Sequence, residues 1–512
     1  MSLRRNIHYL QRSPSKYAFA LEGVCHRPWP PGYTPRVCNS KDVSPVPESL
    51  SEPRPLTQAA IFRCLEQGAH LITANLRLSR FFQQRFASHA AATGRPVWLA
   101  PLILPQKDWL LQLRERLLIT GQLAARTVLN PEQERLLWEE IIRNSPEGEN
   151  LLRPRATARQ VAEAWTLLHD WQLDFPAAVS DGNEDTEAFA NWCRAFRRRC
   201  AQADWISMAE IPASLSAALA EAGSAANPLA GQTLLLAGFD ELVPAARTLF
   251  ERLAASGSEV RWLLPEAVAE AGTRGLVECA DEHEEIRLMA RWARQQVETR
   301  PGGTVAVVVP DLSARREAIV TALSALLPGE GNSALFNVSL GLPLNRYSLV
   351  QTAFDLLSLL PRRRLEPATA SALLLSPFVA GWEAESRSRA LLDRRLRETG
   401  EVRISLRRLI RLASQADRPW HCPELAAHLQ ALESHIGDLP ERETAAGWMQ
   451  LFSRCLGAAG WPAGRGLDSR EYQCFEAWQK ALSGFAQLQE VAGQFDLRRA
   501  LAGLRQLVGE RI

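Results

Sequence analysis

The stretch QTLLLAGFDELVPAARTLFERLAASGSEVRWLLP, Gln232 to Pro265, decides the fold class. Its first apolar run, Gln232 to Phe239, has the length of a buried strand. Helical spacing follows from about Pro244 to Ala255, Gly257 breaks it, and Glu259 to Pro265 forms a second strand. A strand, a helix and a strand within about 35 residues imply a parallel pair joined by a crossover.

The same alternation extends on both sides. Upstream, HLITA (His70 to Ala74) reads as a buried strand. Asn75 can cap a helix beginning at Leu76, whose Leu78, Phe81, Phe82 and Phe86 keep helical spacing. VWLAPLIL (Val97 to Leu104) reads as another strand, and Pro105 opens a helix through Trp109, Leu110 and Leu113. Downstream, LVECA (Leu276 to Ala280) and the uninterrupted TVAVVVP (Thr304 to Pro310) are expected as strands of a sheet covered on both faces. A helix lies between them, from Glu282 to Val297, with Ile286, Met289, Ala290 and Ala293 on one face, and another runs from Ala314 to Leu327.

Two regions are helical instead. Residues 130–228 open on Asn130-Pro131 with Gln133 as capping-box partner, and Thr157 with Gln160 repeats the signal. From Ser348 to the end only helical patterns occur. The expected organisation is therefore α/β and helix-rich. It comprises an extension over 1–55, taken as disordered, and a first domain over 56–270 with a helical insert at about 130–228. An incomplete second α/β domain over 271–347 and a helical insertion domain over 348–512 follow. Nine of the 31 prolines fall in the first 55 residues, where no periodicity survives.

Composition excludes several classes. The 512 residues are 46% hydrophobic and 23% charged, with net charge +2, so any basic surface is local rather than general. The nine cysteines contain no CxxC, which argues against a disulfide framework or zinc ribbon and for a reduced, cytoplasmic protein. No apolar run approaches the roughly 18 residues of a membrane span.

Lysine occurs only at Lys16, Lys41, Lys107 and Lys480, against 55 arginines. None of the four follows a glycine, so no GxxxxGK[ST] phosphate loop exists. The residues two before them are Pro14, Asn39, Pro105 and Trp478, so no PD-(D/E)xK nuclease motif exists either. Asp240 and Glu241 after the central strand invite a Walker B reading with Mg²⁺, although an acidic pair also suits the start of a helix. His421, His428 and His435 recur every seven residues, about 10 Å per step on a helix, too far apart for one metal. Cys193 and Cys200 share a core stripe with Phe189, Trp192 and Phe196.

What remains is arginine. Nine lie between Arg387 and Arg411, with Asp393, Glu398 and Glu401 leaving +6 in 25 residues. Arg394, Arg395, Arg397, Arg407 and Arg408 are the candidates there for phosphate contact, and Arg194, Arg197, Arg198 and Arg199 form a second group. Asn75, Arg77 and Arg80 form a third, on the helix after the first strand. Such runs also occur as merely solvated faces.

Two α/β blocks, each followed by a helical insert, is the layout of superfamily 1 helicases. LITANLRLSRFFQQRF, WLAPLILPQKDWL, LNPEQERLLWEEII, LLLAGFDELVPAARTLFERL, VAVVVPDLSARRE, FNVSLGLPLNRYSLV and LLLSPFVAGWEAESRSRALLDRRLR follow one another between Leu71 and Arg397. In that order they resemble the RecB-like or AddB-like probable DNA repair proteins of bacteria, with the resemblance covering roughly Leu56 to Arg397. It implies two P-loop-NTPase-like, helicase-like blocks that no longer bind ATP in the usual way. It implies DNA-end processing in recombination repair, DNA as partner in single-stranded or duplex-end form, and a helicase or nuclease partner subunit. It also implies a C-terminal Mg²⁺-dependent PD-(D/E)xK exonuclease domain, sometimes with an iron–sulfur cluster. This chain has no residues matching that domain, and reads as the family's N-terminal portion with no cofactor of its own. By position, Asn75, Arg77 and Arg80 fall at the family's strand-contacting segment, Asp240 and Glu241 at the Walker B place, and Asp311 and Arg315 after the first strong strand of the second block. A non-enzymatic scaffold that binds a partner repair subunit is the alternative.

Overall fold

The computed structural model describes residues 54–93, 97–149, 151–173, 184–222, 227–264, 275–327, 335–462 and 466–511. The extension expected as disordered lies almost wholly outside them.

A five-stranded, all-parallel sheet organises the first half, in the order β1-β7-β6-β2-β3. Its strands are β1 (Arg54–Pro55), β2 (His70–Thr73), β3 (Ile103–Pro105), β6 (Thr233–Ala237) and β7 (Glu259–Leu264). The short parallel pair β4 (Thr127–Val128) and β5 (Trp205–Ile206) stands apart. Alternate side chains of the sheet serve two cores. On one face Leu71, Leu235 and Leu263 pack on Ile61, Phe62 and Leu65 of α1 (Gln58–Glu66) and Phe86 of α2 (Leu76–Ala92). On the other, Ile72, Leu234, Leu236 and Trp262 pack on α3 (Gln106–Ile119) and two later helices.

The helical insert is α4 (Pro131–Arg143), α5 (Pro154–Asp170) and α6 (Glu184–Gln202), placed between β4 and β5. Asn130 and Gln133 form the expected reciprocal capping box at the start of α4. Its core is aromatic, with Trp138 stacked on Phe196 at 4.0 Å between ring centroids and both edge-on to Trp165. Cys193 and Cys200 lie on that stripe as expected, and burial pushes both thiols up to about 12. Two expectations are corrected here. Thr157 does not open a helix; α5 starts three residues earlier at Pro154, and the Thr157 hydroxyl donates back to Arg153 O at 3.4 Å. The insert also ends sooner than residue 228, because α7 (Ile211–Ala222) lays Ile211, Leu215 and Leu219 into the sheet's core beside α3 and α8 (Pro244–Ala255).

Strand expectations beyond the sheet are corrected more strongly. The run from Val97 shrinks to β3, with Leu99 94% exposed. An edge strand lasts only as long as its neighbour, and β2 offers Leu71, Ile72 and Thr73 as partners to Ile103, Leu104 and Pro105. Among the described residues no strand forms at 276–280 or 304–310. Val305 and Val309 pack on α9 (Glu282–Thr299) and α10 (Leu312–Leu326), while Val308 is 90% exposed. Apolar character supplies burial on one side, but a strand also needs a hydrogen-bonding neighbour, and the 276–280 run does not pair with it.

The rest is a helical unit with one continuous core, from Leu344 to Val508. It contains α11 (Ser348–Leu357), α12 (Leu359–Arg362), α13 (Pro367–Leu375), α14 (Trp382–Glu398), α15 (Leu406–Ala413), α16 (Pro423–Gly437), α17 (Ala445–Ala458), α18 (Ser469–Ala486) and α19 (Leu497–Glu510). An antiparallel pair, β8 (Arg364–Leu365) with β9 (Ile404–Ser405), ties α12 to α15. The unit docks on the insert: Gln133 donates to Gln487 O at 2.9 Å and to Glu490 at 2.7 Å, and Arg135 pairs with Glu510. Among the described residues no helix is long and apolar enough to cross a membrane.

Candidate nucleic-acid interface

Open parallel sheets bind ligands outside the carboxyl ends of their strands, where the winding direction reverses. Here the chain moves from β2 outward to β3, then returns past β2 to β6 and continues the other way to β7. The reversal lies between β2 and β6, whose last residues, Thr73 and Ala237, are paired.

The β2 end carries the first candidates. Only Ala74 and Asn75 separate β2 from α2. The Asn75 carboxamide accepts from Leu78 N at 2.9 Å, so it is the helix cap that its sequence position implied. Thr73 and Ser79 hydroxyls lie 2.5 Å apart beneath it, fully buried. A nucleotide cradle needs a longer glycine-rich loop with free backbone amides. This junction has no such loop, and its capping side chain takes one of the amides. Arg77 and Arg80 are exposed on the first turns of α2. Arg77 also reaches Ser339 O at 2.9 Å and so ties the sheet to the segment leading into the helical unit.

The β6 end carries the acidic pair that the sequence offered for a Walker B reading. Asp240 and Glu241 are exposed, and α8 begins only at Pro244 with Val243 as an uncapped N-cap. The turn depends on Gly238 at φ +79°, where a Cβ would lie 2.4 Å from Leu78 Cδ2. Leu78 from α2 therefore fills the space above β6, and the two strand ends are locked by apolar packing. Among the described residues no group of three or more His, Cys, Asp or Glu is arranged to hold a metal ion.

The arginines between 387 and 411 do not form a free basic patch. Arg389 is fully buried and paired with Glu385, so it is structural. Arg394 and Arg395 share Glu398, Arg397 pairs with Asp393, Arg408 with Glu401 and Arg407 with Glu433. The fold thus adds Glu385 and Glu433 to the three local acids, and nine arginines share five carboxylates. Arg395 and Arg418 both face the ring of Trp420, each 5.7 Å from its centroid. Exposed pairs of this kind are weak and can exchange a carboxylate for a phosphate, but the field of the cluster is well below that of its linear charge.

The remaining candidates divide. Arg194, Arg197, Arg198 and Arg199 line an open groove of about 920 Å³ between α4 and α6, together with Glu140 and Glu147. Arg197 turns back over Trp165, and Arg194 is held by Asn191 at 2.8 Å. Asp311 precedes α10, and Arg315 bridges to Glu282 and Glu285 on α9. The described residues do not bring the three histidines together as one ligand set, and His428 Nδ1 contacts Ala458 O at 3.0 Å. Sequence reasoning missed a further convergence of Arg362, Arg364, Arg498 and Arg505, because over 130 residues separate its two halves.

No family model matches the chain, and no curated protein matches it.

Proposed function

We propose that this chain is a helicase-like body that binds single-stranded or end DNA in bacterial repair and recombination, without hydrolysing nucleotide. In this reading the parallel sheet is a P-loop-NTPase-like block that has lost its nucleotide loop, and the α9–α10 unit is the counterpart of a second block. The observation that carries it is the β2–α2 junction. Two exposed arginines stand at the topological switch point of a parallel sheet, where the chain has closed off the room a nucleotide would need. Phosphates are the chemistry that guanidinium groups take there. DNA cleavage and Mg²⁺ are assigned to none of the described residues; an exonuclease activity belongs to the resembled family and enters only with a nuclease domain or a helicase or nuclease partner subunit.

The test is fluorescence anisotropy with a labelled single strand and a labelled duplex end over a salt series. Binding should weaken steeply with salt, and Arg77→Ala with Arg80→Ala should lower the slope of log K against log salt by about 2. Salt-independent or absent DNA binding would overturn it.

One observation favours the alternative, a non-enzymatic scaffold for a partner repair subunit. Every arginine candidate on α14 and α15 already holds a carboxylate, while Val97, Leu99 and Val308 stand exposed. A scaffold would capture its partner with little salt dependence and ignore DNA.

A further inference from the structure

The turn after α12 places a second set of arginines around one pocket. Arg363 takes the left-handed conformation at φ +51°, which ends the helix and starts β8. Its own side chain leaves toward Ile436 O at 3.3 Å. Arg362 and Arg364, on either side of it, line a cavity of about 630 Å³ instead. The opposite wall is α19, where Arg498 and Arg505 stand seven residues apart and so two turns up the same face. Between them the floor is apolar, formed by Leu365 and Leu501, which are buried. Among the described residues that line it, Glu366 is the only carboxylate.

Asp355 also lies within electrostatic reach of Arg505, so four guanidinium groups around two carboxylates leave the pocket net positive. This differs from the α14–α15 cluster, where every candidate arginine is already paired with a carboxylate. The frame is rigid: β8 is held in register with β9, and Arg505 is oriented by stacking 5.5 Å over the Phe354 ring. Guanidinium groups presented from two walls suit a ligand with several anionic oxygens in succession, and a compact apolar ligand would leave them unsatisfied. The open mouth suits a chain that enters and leaves.

We propose that Arg362, Arg364, Arg498 and Arg505 form a binding site for consecutive phosphate groups, as carried by a nucleic-acid strand or by a free polyphosphate. The site shares no residue with the β2–α2 junction, so it stands whether or not DNA binds there.

The experiment uses the full chain with inorganic tripolyphosphate in calorimetry and a labelled oligothymidylate in anisotropy. The variants are Arg364→Ala/Arg498→Ala, Arg364→Lys/Arg498→Lys and Arg77→Ala/Arg80→Ala. The substituted side chains are exposed, and matched thermal unfolding confirms that each variant is folded. The alanine pair should weaken tripolyphosphate binding about tenfold or more, the lysine pair should recover part of it, and the Arg77/Arg80 pair should leave it unchanged. If tripolyphosphate also displaces the oligonucleotide and the alanine pair weakens both, the phosphates belong to a strand. If tripolyphosphate binds through these arginines and the oligonucleotide is indifferent to them, the ligand is a free polyphosphate. Absence of tripolyphosphate and oligonucleotide binding, or equal binding by wild type and the alanine pair, overturns the proposal. Loss of DNA binding in the Arg77/Arg80 variant alone bears on the junction and leaves this site standing.

Discussion

Replacing Arg389 by methionine should destabilise the helical unit without touching DNA contact directly. Arg389 is fully buried on α14. Its Nε and Nη2 donate to Glu385 Oε2 at 3.1 and 2.9 Å, Nη1 donates to Val379 O at 3.3 Å, and Nη2 also donates to Ala380 O. Glu385 in turn accepts from Glu424 N at 2.7 Å and Leu425 N at 3.2 Å. Those amides are in the first turn of α16, whose N-cap Cys422 supplies no side-chain bond. Glu385 is therefore a capping carboxylate donated by another helix, and Arg389 neutralises it. Removing one partner of a buried pair costs about 3–5 kcal/mol, because the other charge is left uncompensated. For a unit of this size that corresponds to a fall in Tm of about 6–20 °C. Urea unfolding followed by tryptophan fluorescence measures it as a drop in midpoint at unchanged slope. Adding Glu385→Leu to Arg389→Met should cost less than the two single changes summed, since no buried charge survives. At a temperature where the variant is folded, DNA affinity should equal that of wild type. A loss below about 1 kcal/mol, or weakened DNA binding at full stability, would refute the argument that this arginine is architectural.

Three further outcomes are expected. His70, which accepts from Trp109 Nε1 at 3.3 Å, and His169 are both held near 4, chiefly by burial and secondarily by Arg116 and Arg197 respectively. On these two groups the unfolded chain binds protons first on acidification, so their contribution to stability should be full above about pH 6.5 and decline toward pH 4. It is opposed in that window by Asp355, whose carboxyl is pushed up to about 6 by burial. His70→Gln with His169→Gln should remove that decline, and an unchanged pH profile of the denaturation midpoint in that variant counts against it. Gly238→Ala should cost about 1–3 kcal/mol from its positive φ and its clash with Leu78, and Leu78→Ala in the same chain should relieve part of that, which a double-mutant cycle reads directly. Trp138→Ala removes the ring stacked on Phe196 in the insert's core and should cost about 3–5 kcal/mol by chemical denaturation; a cost below about 1 kcal/mol would mean the insert's core lies elsewhere.

Local chemistry was legible in the sequence wherever it was sufficient by itself. The Asn75 cap, the Asn130–Gln133 box, the β6–α8–β7 crossover and the core stripe through Cys193, Phe196 and Cys200 all follow from spacing and side-chain type within a few residues. The missing phosphate loop was also legible, because four lysines can be checked one by one. Strands were legible only where a neighbour existed. TVAVVVP has a buried strand's composition and forms none among the described residues, since pairing is a property of two segments. Charge was least legible of all. The arginines between 387 and 411 read as a basic patch, yet Glu433 from α16 joins the acids that pair with them and Arg389 is core. Arg362 and Arg364 meet Arg498 and Arg505 only because α19 returns across β8. Residue type and periodicity thus determined the elements and their caps; tertiary packing decided which strands pair and which charges remain open, because both depend on groups far apart in the chain.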